Sequence, residues 1–232
     1  ALLLVEFAEE DMAENERRLR QLHEMMGDLG FGWDKGAAWR GGVVDAIDPG
    51  MQGRIAEWRK SGLNIMMSEK SEAKPVSFLE DCAVELKDLA EYTDKLTAIF
   101  DRNGVKGTWY AHASVGCLHV RPVLNMKQAG GAETMRAIAE EAFELVRSFG
   151  GSHSGEHGDG IVRSEFNDRM FGPVLPDLFR QVKAMFDPLG MFNPGKITDA
   201  PKMDDRELFR FAPGYEAEDF DSVLDWAAWP GA

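Results

Sequence analysis

Apolar positions along the chain recur at two different periods, and the switches between them mark the elements. Residues 2–7, Leu-Leu-Leu-Val-Glu-Phe, read as a first β-strand. Met12, Leu19, Leu22, Met26 and Leu29 then repeat on one helical face, with charged residues on the other, and Gly27 and Gly30 end that helix. Residues 31–46 carry Trp33, Trp39 and a Gly-Gly pair and follow neither period. Asp48-Pro49 predicts the start of a second helix, with Ile55, Trp58 and Arg59 on it and Gly62 at its end. Residues 70–75 are polar and loop-like, and 76–84 read as a strand. Leu86, Leu89, Leu96 and Phe100 mark a helix that Asn103-Gly104 breaks. Residues 106–113 and 118–124 read as two short strands. The clearest helix covers 132–149, with Met135, Ile138, Ala142, Val146 and Phe149 on one face and Gly150-Gly151 as its stop. A glycine-rich loop, 151–160, follows. Leu178, Val182 and Met185 mark a last helix, ended by Pro188 and Gly190.

Two of these strands are joined by a connection too short for a crossover, so they pair antiparallel. The pattern predicts an α+β fold, an antiparallel sheet with helices packed on it. A tight turn centred on Val115-Gly116 places His112 directly opposite His119, on the same face of the hairpin.

Charge narrows the choice of partners. Lys and Arg number 26 against 40 Asp and Glu, a net charge of −14, and the basic residues do not cluster. Such a surface repels phosphate backbones, which argues against nucleic acid. Two cysteines, Cys82 and Cys117, are too few for a disulfide framework or an iron–sulfur cluster and point to a reducing compartment. No apolar run reaches the roughly 18 residues that span a bilayer. From Asp204 onward acidic residues dominate, with Trp226 and Trp229 near the end, so 201–232 reads as an acidic tail or linker. A chain that opens inside an expected strand, without Met, reads as part of something longer.

Candidate chemistry gathers around four of the five histidines. His112 and His119 on one hairpin face stand at a separation that suits a shared metal ion. The alternative is two histidines on a polar sheet face. The loop Gly150-Gly-Ser-His153-Ser-Gly-Glu156-His157-Gly-Asp159-Gly160 has the backbone freedom to approach a ligand. Glu156 would complete a His-His-Glu metal set, and a neighbouring histidine would serve as general base near pH 7. The alternative is an exposed loop after a helix end. No phosphate-binding Gly-x-x-x-x-Gly-Lys-Ser/Thr is present.

Three segments in order carry a resemblance. Tyr110-x-His112-Ala-x-x-Gly-x-Leu-His119 is followed by Gly150-Gly-Ser-x-Ser-Gly-Glu156-His157-Gly158-x-Gly160, and then by Phe186-Asp-Pro-x-Gly-x-Phe-Asn193-Pro-Gly-Lys196. Together they resemble the C-terminal domain of FAD-linked oxidases, a family with D-lactate dehydrogenases, the glycolate oxidase flavin subunit and D-2-hydroxyglutarate dehydrogenases among its members. Val76-Ser-Phe-Leu-Glu-Asp-Cys-Ala-Val84 resembles the family's strand that leads into a helix, and the likeness runs from about Leu2 to Ile197.

The resemblance implies a ferredoxin-like cap and substrate domain over 1–200. FAD would be held mostly by an N-terminal domain absent from this chain, of the vanillyl-alcohol-oxidase type. The implied activity is oxidation of a 2-hydroxy acid by hydride transfer to FAD, with the isolated chain inactive. By position, His112, His119 and Glu156 match metal ligands, for zinc or another divalent ion, and His157 matches the base. Arg59 matches an arginine that grips the substrate carboxylate; the alternative is an ordinary arginine on a helix surface. Asn193 matches a position near flavin or substrate, and Gly158 a flavin-side position. The family's common His-Ala-Gly-Asp-Gly-Asn-Leu-His is altered, with Ser114, Val115 and Cys117 in place of Gly, Asp and Asn. Arg121 stands where Asn is common, which favours either a second anionic group on the substrate or a salt bridge. The implied partners are the small hydroxy acid, the FAD domain of a longer parent and a downstream iron–sulfur module. The expected location is cytoplasmic, either free or peripheral at the inner face of a membrane. The competing reading is a stand-alone His/Glu metal-binding module that never meets a flavin.

Overall fold

In a computed structural model, which describes residues 2–34, 36, 39–216 and 223, the chain divides into two units, Ala1–Gly62 and Leu63–Ala232. The first unit holds helix α1 (Met12–Asp28), a two-residue parallel pair β1 (Phe31–Gly32) and β2 (Trp39–Arg40), and most of helix α2 (Pro49–Met67). Asp11 caps α1 by accepting from the Ala13 amide at 2.9 Å, and the Asp48 carboxylate accepts from the Met51 amide at 2.7 Å in the first turn of α2. No residue of this unit whose side chain is described is buried.

Two expectations fail in this unit. Residues 2–7 form no strand: they pair with nothing among the described residues, and Leu2 is 78% exposed. β-propensity without a neighbouring ladder leaves the backbone groups to water. Gly62 does not end α2, which continues to Met67. A helical glycine costs only about 1 kcal/mol relative to alanine, too little to break a helix alone.

The second unit is α+β. Its sheet is built on β6 (Cys117–Leu124), which pairs antiparallel with β5 (Gly107–His112) on one side. On the other side β6 pairs with two short strands, β3 (Lys74–Pro75) and β4 (Cys82–Ala83). The expected strand over 76–84 is therefore interrupted. Residues 77–81 turn out of the sheet, and Asp81 adopts a left-handed φ of 66°. The turn sends Glu80 and Asp81 toward polar partners, which an unbroken strand in this apolar run would not supply.

Alternation along β6 decides the two faces of the sheet. Leu118, Val120, Pro122 and Leu124 are buried on one side. Leu118, Val120 and Leu124 belong to a core with α3 (Leu89–Arg102) and α4 (Gly131–Ser148), through Tyr92, Leu96, Ile99 and Phe100 on α3 and Met135, Ile138, Ala142 and Val146 on α4. Cys117, His119, Arg121 and Val123 take the other side. Helices α5 (Asn167–Phe171) and α6 (Val174–Phe186) follow the glycine-rich loop.

The hairpin register differs from the expected one. His112 pairs with Cys117, and His119 with Tyr110. A 3₁₀ turn, Ala113–Val115, and a left-handed Gly116 (φ 68°) occupy the connection, and a Cβ on Gly116 would collide with the Val84 carbonyl oxygen. The register moves by two residues, so side-chain faces are preserved.

The segment from 201, expected as an acidic tail or linker, packs on the second unit over its described part. Met203 is buried in the core cluster, Phe209 packs against it, and the Gly214 amide donates to Lys127 O at 2.8 Å. Arg206 ties the segment down by donating to the carbonyls of Met126, Gln128 and Ala129 at 2.8–3.2 Å. Its acidic composition masked these apolar and guanidinium anchors. Trp226 and Trp229 lie outside the described residues. No described helix is long and apolar enough to cross a membrane.

Candidate metal and proton-transfer site

The face of β6 opposite the core carries His119, 9% exposed. His112 ends β5 diagonally across from it, and their rings stand 4.9 Å apart at 89°. The Tyr110 ring, paired with His119 in the ladder, lies 5.6 Å from each imidazole.

The glycine-rich loop supplies the other groups. It is tied to β4 by reciprocal backbone bonds between Ala83 and Ser152, both 2.9 Å. Gly155 passes so close to β4 that a Cβ there would stand 2.8 Å from the Asp81 carbonyl oxygen. The loop thereby delivers Glu156 Oε1 to 3.0 Å from His119 Nε2, 3.6 Å from His112 Nε2 and 3.5 Å from His157 Nε2. His157 stacks on His119 with centroids 5.1 Å apart and planes at 19°. His112, His119, Glu156 and His157 thus meet in one cluster. His153, from the same loop, does not join it: it is buried, 3.1 Å from an Asp159 oxygen and edge-on to Phe143.

One donor set in the cluster suits a cation. His112, His119 and Glu156 offer two imidazole nitrogens and a carboxylate oxygen within 4.8 Å of one another. Imidazole with carboxylate is chemistry for zinc and its first-row neighbours, and three protein ligands leave a position open. Burial lowers the pKa of His119, assisted by His112 and His157 and opposed by Glu156 and Glu80, so the ligating neutral form is favoured. His119 Nδ1 is buried without a hydrogen bond, 4.0 Å from Glu80 Oε1. Glu80, His119 and His157 form a second close group. There, however, Glu80 is committed to Arg121 (Nε to Oε2, 3.2 Å, with a second bond from Nη2) and to the Ser77 hydroxyl.

Arg121 is therefore engaged in a forked ion pair, the salt-bridge alternative. Arg59 lies exposed on α2 and belongs to the first unit. Asn193 sits exposed in the loop after α6 with φ 46°, accepts from Lys196 at 3.4 Å and makes no hydrogen bond to the cluster. Gly158 follows His157 with φ 80° and open space where a Cβ would stand.

Sequence reasoning passed over three residues of the site wall: Glu80, Asp81 and Arg163. Asp81 is fully buried and accepts from the amides of Glu156 (2.7 Å) and His157 (2.6 Å). Arg163 donates to its other oxygen. Burial pushes the Asp81 carboxyl up, but these amide and guanidinium bonds outweigh it and hold the pKa below the ordinary value. The signal was present, since two adjacent acids inside the apolar run 76–84 demand polar partners.

The family model described as FAD linked oxidases, C-terminal domain, matches residues 1–197. A D-2-hydroxyglutarate dehydrogenase of Pantoea ananatis is 35% identical over 201 residues, 84% of this chain and 19% of that protein. The D-2-hydroxyglutarate dehydrogenase of Escherichia coli strain K12 is 35% identical over 207 residues, 87% of this chain and 20% of that protein. A D-lactate dehydrogenase of Archaeoglobus fulgidus is 30% identical over 132 residues, 57% of this chain and 29% of that protein. The chain spans about a fifth of the length of the first two.

Proposed function

The chain belongs to the family of FAD linked oxidases, C-terminal domain, and from that premise we propose that it forms the substrate side of a flavin-dependent 2-hydroxy acid dehydrogenase. The observation that supports this reading best is the convergence of His112, His119, Glu156 and His157 on one face of the hairpin. Relatives matched over more than four fifths of the chain are named for D-2-hydroxyglutarate, which makes it the first substrate to test, ahead of D-lactate and glycolate.

Oxidation of a 2-hydroxy acid removes a hydride from C2 and the proton from its hydroxyl, leaving a 2-oxo acid. His112, His119 and Glu156 would hold a divalent cation, zinc or a neighbour, which when bound polarises oxygen and lowers the hydroxyl pKa. FAD is the hydride acceptor this reading requires, contributed mostly by another domain of a longer parent. His157 receives the hydroxyl proton as general base. Its stacking on His119 fixes the ring plane, and Tyr110 walls the same face. The open backbone at Gly158 suits the approach of a flat ring, and Asn193 is the second flavin-side or substrate position. Arg121, neutralised by Glu80, shapes the wall and leaves the substrate charge to others. A downstream iron–sulfur module would carry electrons onward, and two buried free cysteines fit a reducing, cytoplasmic location.

The test uses the full-length protein with FAD bound. His157→Ala should lower kcat on a 2-hydroxy acid by about 10²–10⁴ with metal content unchanged, and His112→Ala should lose the metal. A full-length protein that holds metal but no flavin and oxidises no hydroxy acid would favour the stand-alone metal-binding module.

A further inference from the structure

We infer that Asp81 is the positioning residue of this site, with Arg163 as its counter-ion: together they clasp the glycine-rich loop and set the directions of Glu156 and His157. Three consecutive loop amides end on this one residue. Gly155 N donates to its carbonyl at 2.8 Å, and Glu156 N and His157 N donate to one carboxylate oxygen at 2.7 and 2.6 Å. Arg163 occupies the other carboxylate oxygen and also donates to the carbonyls of Glu80, His153 (3.1 Å) and Gly158. The guanidinium thus reaches the loop on both sides of the Glu156-His157 pair.

The loop has no ladder or helix of its own across 156–159, and Gly158 and Gly160 take positive φ. Its stiffness must come from outside. Two successive amides aimed at a single oxygen fix the peptide between them, and with it the Cα–Cβ direction of Glu156. From that direction the Glu156 carboxylate meets His119 and His112, and the next side chain, His157, lies flat on His119. A carboxylate with no exposure and a left-handed backbone is costly to keep. The charge-assisted bonds to the loop and to Arg163 offset that cost.

The consequences for metal and proton transfer rest on the functional reading above; the clasp itself does not. Asp81→Asn is the informative variant. Asparagine keeps the volume and tolerates φ 66°, but it has one acceptor oxygen where aspartate has two. Either the loop amides or Arg163 must then face an NH₂ group.

The experiment compares the full-length protein and Asp81→Asn by amide hydrogen exchange and by titration with zinc. The peptide covering 155–158 should exchange at least about tenfold faster, the size expected for losing a charge-assisted hydrogen bond, while α3 and α4 keep their protection. Zinc affinity should fall about 10–100-fold, the usual effect of losing a group that orients a ligand. Arg163→Gln should give the same local pattern at smaller amplitude. Unchanged exchange at 155–158 in Asp81→Asn would overturn the clasp. So would loss of protection throughout α3 and α4 in both variants, because Asp81 would then be holding the fold and not the loop. Wild-type protein that takes up no zinc would sink the metal reading, and the exchange comparison would still decide the clasp.

Discussion

Glu156 Oε1 stands 3.0 Å from His119 Nε2, although one residue comes from a glycine-rich loop and the other from the middle strand of the sheet. A single carboxylate oxygen within 3.6 Å of three imidazoles is the centre of the site. Glu156→Gln keeps the shape and removes the charge. Zinc affinity should drop by about 10–100-fold, in the range for loss of a ligating or orienting group, as read by chelator competition. Affinity equal to wild type would place the ion elsewhere.

Arg121 and Glu80 are each largely shielded from solvent and bonded to each other in fork geometry. Arg121→Ala leaves that carboxylate without its cation. The loss should be about 1–3 kcal/mol at neutral pH, between an exposed pair and a fully buried one. Burial raises the Glu80 pKa, but Ser77 and Arg121 outweigh it, and the folded value lies below the ordinary one. Stability from this pair is therefore present above the unfolded glutamate value, about 4.3, and fades as pH falls through the folded one. Urea denaturation of both proteins at pH 7 and below pH 4 should show the gap closing in acid; a gap independent of pH would mean the effect is packing alone.

Asp187 turns the chain after α6. Its carboxylate accepts from Lys183 Nζ and from the amides of Met191 and Phe192, each amide at 2.9 Å. The Lys183 bond leads, with the amides assisting, and the pKa is held down to about 2. A depressed carboxylate stabilises above its unfolded pKa and loses that contribution as pH falls toward its folded one. Asp187→Asn should lower Tm between pH 5 and 7, and the difference should shrink from about pH 4 downward. Equal Tm for the two proteins at pH 6 would refute the clamp.

Cys82 and Cys117 are both buried, and burial pushes each thiol up to about 11. The thiolate is the reactive form. In the native protein both should resist iodoacetamide at pH 7.5 and react only after denaturation. Rapid native labelling of Cys117, which lies on the site face, would show that this face opens in solution.

The local pattern alone determined a good deal. Helical spacing of Met135, Ile138, Ala142 and Val146 marks α4, because a buried stripe on a 3.6-residue period has few other solutions. The short link between β5 and β6 made them antiparallel, and the two-residue period put His112 and His119 on one face even though the register itself shifted by two. Glycine density and the Glu156-His157 dipeptide marked the loop that carries the chemistry. What failed depended on partners distant in the chain. Residues 2–7 have strand propensity but no pairing partner among the described residues, and the acidic composition of the segment from 201 hid Met203 and Arg206, whose partners lie on the core and on the segment before α4. Asp81 and Arg163 could not be joined from spacing, because a hydrogen bond between side chains far apart in sequence leaves no periodic trace. Only the closed fold, by removing water from the Asp81 carboxylate, decided that the loop amides and Arg163 had to replace it.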